Sequence, residues 1–219
     1  MLPLLEQPIN YGKVRGMVSL NVRRVVTGHD ATGKAVVLTD GAPPHVTRPP
    51  HQPGLAFHEL WNTRATPCPV SFTESEPTDL HRDTAPPSGG TIIRMVDIPP
   101  EGAEGPDFDK ETARALFEQV GLGENAEHTI PGRHPLMHRT ESVDYGIVLE
   151  GQIVLLLDDS EVVLEQGDMV VQRGTIHAWT NRTDRITRML FILTDGAFDP
   201  ALARAQADHD ARVKAASHV

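Results

Sequence analysis

Between Gly132 and Asn181, two histidines stand on separate β-patterned segments, with glycines at fixed distances from each and a carboxylate between them. The stretch reads GRHPLMHRTESVDYGIVLEG, then a strand and a turn, then GDMVVQRGTIHAWTN. Side chains on a strand alternate faces with a period of two. His134, Leu136, His138 and Thr140 therefore share one parity. Asp144, Gly146 and Val148 share it if the intervening turn preserves register, and His177 and Trp179 share a face on the second segment. If both faces look into one barrel, His138, Asp144 and His177 converge. Two imidazoles and a carboxylate suit Fe, Mn, Ni, Zn or Cu and leave positions open for substrate or oxygen.

Composition narrows the classes of partner. A net charge of -10 disfavours a duplex or polyphosphate, because binding there relies on cationic neutralisation. No apolar run approaches the length that spans a bilayer, so no membrane partner is expected. The first residues carry prolines, a glutamate and scattered cations where a signal peptide needs a continuous apolar core, which makes a cytoplasmic location the expectation. Cys68 is the only cysteine, which excludes an intrachain disulfide and a thiolate zinc site.

Along the chain, residues 1–18 read as a loosely held leader, with Met17 a candidate natural start. Residues 19–106 read as a β-rich segment, with strand patterns at Leu20–Thr27, Ala35–Thr39, Leu55–Asn62 and Thr91–Ile98. The proline-rich stretches 41–54 and 73–90 read as connections. A helix is expected over 107–123, where Ala113, Leu116, Phe117 and Val120 recur at helical spacing and Gly121 supplies the stop. Residues 124–198 form the expected core of short strands, with turns at 158–161 and 165–168. Residues 199–219 read as a C-terminal helix with a thin apolar stripe of Leu202, Ala205 and Val213.

The motif residues resemble those of the cupin superfamily. Its first motif, G-x5-H-x-H-x3,4-E-x6-G, is matched by Gly132, His138, Asp144 and Gly151. Its second, G-x5-P-x-G-x2-H-x3-N, is matched by Gly167, Gly174, His177 and Asn181, one residue shorter after Gly167. The match covers about 50 residues. It implies an all-β fold, an antiparallel double-stranded β-helix or jelly-roll barrel. Extra N-terminal strands and one or two peripheral α-helices would surround it. Thr140 stands where the family has its second histidine, Asp144 replaces glutamate, and Gln172 replaces proline.

The resemblance implies a metal-dependent enzyme on a small organic molecule, of oxygenase, decarboxylase or isomerase type. His138, Asp144 and His177 would hold one divalent transition metal, with His134 a substitute ligand. His134, Leu136, Thr140 and Trp179 would line the pocket, and Arg139 or Arg173 would hold a substrate carboxylate at its mouth. Two other readings stand beside this one: a metal-free binding or sensor module, and a metal-free acid/base epimerase or isomerase. Loss of the second histidine favours the metal-free readings. A buried carboxylate at the correct spacing favours the metal, because it is costly without a cation. A symmetric homodimer is the expected assembly.

Overall fold

The computed structural model describes residues 21–50, 52–72, 75–79, 83–101, 110–121 and 133–216. The expected leader lies outside them, as do the ends of the expected 107–123 helix.

Strands β1 (Arg24–His29) and β2 (Ala35–Gly41) form a separate hairpin. Then follow β3 (His45–Thr47), β4 (Ala56–Thr63), a short 3-10 turn at Pro77–Asp79, β5 (Thr91–Ile98) and the helix α1 (Lys110–Gln119). The second half carries β6 (Ser142–Glu150), β7 (Gln152–Leu156), β8 (Glu161–Glu165), β9 (Met169–Arg173), β10 (Ala178–Thr180) and β11 (Thr187–Asp195). The helix α2 (Pro200–Ala216) ends the described chain. A six-stranded sheet runs β3-β4-β5-β11-β6-β9 and a three-stranded sheet runs β10-β7-β8, every pairing antiparallel. The architecture is the all-β jelly roll that the family resemblance implies. Neither helix is long and apolar enough to cross a membrane.

Alternation decides which residues reach the interior. On β5, Ile92, Val96 and Ile98 are buried with Arg94 on the same parity, and on β6 Val148 shares the inward parity with Asp144. Val96, Ile98, Val148, Ile153, Leu155 and Met189 pack into the main core between the sheets. Gly146 lies between Val170 and Phe191 in the ladder, where a Cβ would approach each to about 3.1–3.2 Å. The missing side chain leaves room for the Phe191 ring.

Two elements depart from the expected pattern. β3 falls inside the stretch 41–54 read as a connection, and pairs His45, Val46 and Thr47 with Glu59, His58 and Phe57. Three residues between proline-rich flanks are too short to show a period, so tertiary pairing alone makes this strand. β1 begins at Arg24, whose guanidinium is bonded to Glu76 at 2.7 and 2.9 Å.

α1 buries Ala113, Leu116 and Phe117, and Val120 just past its end, the face the spacing predicts. The Thr84 hydroxyl donates to the Val120 carbonyl at 2.6 Å, satisfying one group at the helix end. α2 is largely exposed, Leu202 included, and is held by polar contacts. Among these are the Arg139–Asp210 pair at 2.5 Å, a Gln206 amide bond to the Gly174 carbonyl and the His209–Asp158 contact at 3.4 Å.

The two motifs end in residues that shape turns. Gly151 has φ +87°, and a Cβ there would meet the Thr187 hydroxyl at 2.7 Å, so neither the conformation nor the space admits a side chain. Asn181 is fully buried. Its amide donates to the carbonyls of Ile98 and Arg185, both at 2.8 Å, and its oxygen accepts from the Thr183 amide and hydroxyl. Replacing it leaves several buried groups unmet, each costing roughly 1–3 kcal/mol. Asn181→Ala is expected to lower stability by about 3 kcal/mol, seen as a lower urea midpoint at unchanged m-value.

Candidate functional site

Two short segments cross at the site. The backbones of His138 and His177 bond reciprocally, each N–H donating to the other's carbonyl at 2.8 Å, as an isolated antiparallel bridge. Opposed residues project to the same side, so the two imidazoles lie side by side with centroids 4.5 Å apart. Phe117 of α1 packs against His138 at 5.6 Å, and Trp179 meets His177 edge-on at 5.9 Å.

Each ring is fixed by its own segment. His138 Nδ1 bonds the Leu136 carbonyl and His177 Nδ1 bonds the Thr175 carbonyl, both at 2.9 Å. A carbonyl only accepts, so both Nδ1 atoms carry the proton and both Nε2 atoms carry a lone pair. Neither Nε2 has a protein partner among the described residues. Burial pushes the His138 pKa down, aided by nearby His134 and opposed by the Leu136 carbonyl. Burial, with His138 beside it, pushes His177 down to about 3 against the pull of the Thr175 carbonyl. Both rings are neutral at physiological pH.

The pair lines a cavity of about 380 Å³. Much of its wall is apolar, with Phe57, Val96, Leu116, Trp179, Phe191 and Leu193 among the contributors. A polar patch carries Thr140, Asp144 and Gln172. Asp144 is 5% exposed and accepts from the Ser142 hydroxyl at 2.6 Å and from Thr140 at 3.4 Å. Both donors are neutral, and burial outweighs them, raising its pKa to about 6. Arg94, also on the lining, is 3% exposed and pairs with Glu59 on the adjacent strand at 3.1 Å.

The expected site residues therefore divide. His138 and His177 come together. Asp144 lines the same cavity beside Thr140 and Ser142, and no group of three His, Cys, Asp or Glu placed to hold a metal forms among the described residues. Leu136, Thr140 and Trp179 line the cavity as expected. His134 does not: its Nδ1 accepts from the Leu136 amide at 3.0 Å and its Nε2 bonds Glu101 at 3.3 Å, which occupies both nitrogens. Arg139 is turned outward to Asp210, and Arg173 is exposed on β9, so neither is among the lining residues.

Comparison with known proteins places this arrangement in a lineage. The Cupin_2 cupin-domain family matches residues 126–193. The "Phomopsin biosynthesis cluster protein C'" of Diaporthe leptostromiformis is 33% identical over 77% of this chain and 76% of its own length. The chain belongs to the cupin family. The "Cupin-domain-containing oxidoreductase fogC" of Aspergillus ruber is 31% identical over 80% of this cupin and 72% of its own length. The corresponding oxidoreductase virC of Hypocrea virens is 29% identical over 78% and 75%.

The donor set of this cupin fits a metal in part. Two neutral imidazoles with Nδ1 bound to carbonyls and Nε2 bare are oriented as metal-ligating histidines are. The carboxylate does not complete the group. Sequence reasoning missed Glu59 and Arg94, because their contact joins residues far apart in the chain. The amphipathic spacing of 113–120 was the one signal that a helix face had something apolar to cover.

The raised Asp144 pKa sets a sign for stability. The fold favours the protonated acid, so the cost of the charge is absent below about pH 4, grows up to pH 6 and is complete above it. In protein stripped of metal, Asp144→Asn is expected to raise stability at pH 8 by on the order of 2–3 kcal/mol and to leave it unchanged near pH 3.5. Denaturant titrations at the two pH values check this. Equal stability of the two proteins at pH 8 contradicts an uncompensated carboxyl.

Proposed function

We propose that this cupin is an enzyme that transforms a small, mainly apolar organic molecule, with the chemistry centred on the Nε2 atoms of His138 and His177. The observation that carries the reading is the pair of neutral imidazoles, each locked through Nδ1 to a backbone carbonyl and lining one cavity. Relatives named oxidoreductases support a redox outcome over simple ligand storage.

A divalent metal fits here as the partner of His138 and His177, and when bound it would supply Lewis-acid or redox chemistry. The rest falls to the chain itself. Phe117 and Trp179 flank the imidazoles and keep bulk water from them. Leu116, Phe57 and Phe191 bind the substrate body by apolar contact. Asp144, with a pKa of about 6, exchanges a proton near neutral pH and is placed to give one to or take one from a bound molecule.

A second reading, metal-free acid/base catalysis, has one observation in its favour: Asp144 stays with Ser142 and Thr140 and joins no metal-holding group among the described residues. There a neutral imidazole is the base and the Asp144 carboxyl is the acid. Elemental analysis of protein purified without chelator separates the two. The first reading expects bound transition metal that His138→Ala and His177→Ala each weaken by about 10–100-fold, with Asp144→Asn retaining it. A metal-free wild type that keeps full activity would establish the second reading. A wild type whose metal survives both histidine variants refutes the first.

A further inference from the structure

One lining residue has a polar group that the fold leaves unused. Gln172 is 4% exposed, lies on β9 with inward parity, and its Nε2 has no hydrogen-bond partner among the described residues. Burying an unmet amide donor costs roughly 1–3 kcal/mol, and such groups are rare in folded proteins. Asp144 is its partner across the β6–β9 ladder, yet the Asp144 oxygens are engaged by Ser142 and Thr140, and the amide is not drawn to them. The geometry points to Gln172 as the residue that selects and orients the substrate: its amide donates to a carbonyl or hydroxyl oxygen of an uncharged molecule with an aromatic or aliphatic body.

The charge of the cavity argues for a neutral ligand. Its lining carries two carboxylates, Asp144 and Glu101, and one arginine, Arg94, which is paired with Glu59 at 3.1 Å. Among the described side chains of the wall, an anionic substrate meets no cation that is not already matched. The remaining wall offers Phe57, Trp179 and Phe191 for an aromatic body. Gln172 and the imidazole pair line one cavity, so an oxygen held at the amide decides which end of the molecule reaches His138 and His177. The inference rests on reading this cavity as the substrate site, but its test is run on protein stripped of metal and reads binding, so it does not depend on turnover.

Three probes of one size separate the possibilities: 2-ethylnaphthalene, which has no acceptor; 2-acetylnaphthalene, with a neutral carbonyl; and 2-naphthoate, an anion. Calorimetric titration of the wild-type protein is expected to rank the acetyl compound about ten-fold tighter than the ethyl compound, with naphthoate weakest. Gln172→Leu is expected to abolish that preference while holding the ethyl compound's affinity within about two-fold. Gln172→Met, similar in chain length, is a second replacement should the first fail to fold. The wild-type order stands as a test without either variant. Tightest binding by naphthoate, no binding of any probe, or an acetyl preference that survives loss of the amide (as expected if Gln172 merely holds a structural water) overturns the proposal.

Discussion

The reciprocal backbone bridge between His138 and His177 is the constraint on which the site depends. It joins the segment entering β6 to the segment entering β10, one leading into each sheet, and closes the barrel where they cross. The same two hydrogen bonds that close it set two imidazoles side by side, their planes tilted by 51°. Because each Nδ1 is then taken by a carbonyl two residues upstream, the local backbone also fixes the tautomer. Structure and reactivity here have one cause: the position of a peptide group determines which nitrogen is bare.

Around that pair the cavity treats its charges unequally. Arg94 and Glu59 neutralise each other across neighbouring strands, and Glu101 is held by Thr180 at 2.5 Å and by His134. Asp144 has only hydroxyls, and the Gln172 amide nitrogen has no partner among the described residues. A cavity wall that sets an unmet amide donor beside a carboxylate held only by hydroxyls is organised for something that enters it. The apolar remainder, closed in part by the buried face of α1, makes electrostatic and hydrogen-bonding contacts at that patch stronger than they would be in water.

Much of the fold was legible because its signals are local. Gly151, Gly167 and Gly174 all adopt positive φ, and a turn that needs that conformation leaves a glycine in the sequence. Period-two alternation likewise placed Val148 inside, and helical spacing placed Phe117 against something apolar. The metal set was read from strand parity and from motif resemblance, which fixed parity without fixing reach. Asp144 has the inward parity expected of it, yet Ser142 and Thr140, two and four residues away on the same chain, bind it where it stands. His134 also has the right parity, but Glu101 arrives from a loop 33 residues earlier and takes its Nε2. Gln172 showed only as a departure from a motif proline. Its meaning depends on what surrounds it, and the β6–β9 register that places it beside Asp144 is a tertiary fact.

The most direct test of the account is the tautomer of the two histidines in solution. Long-range 1H–15N correlation spectra of metal-free protein at neutral pH, assigned with His138→Gln and His177→Gln, report which ring nitrogen carries the proton. Both rings are expected to be neutral with the proton on Nδ1. A proton on Nε2 of either ring would mean that the carbonyl locks do not hold, and the imidazole pair could not present two bare nitrogens to the cavity.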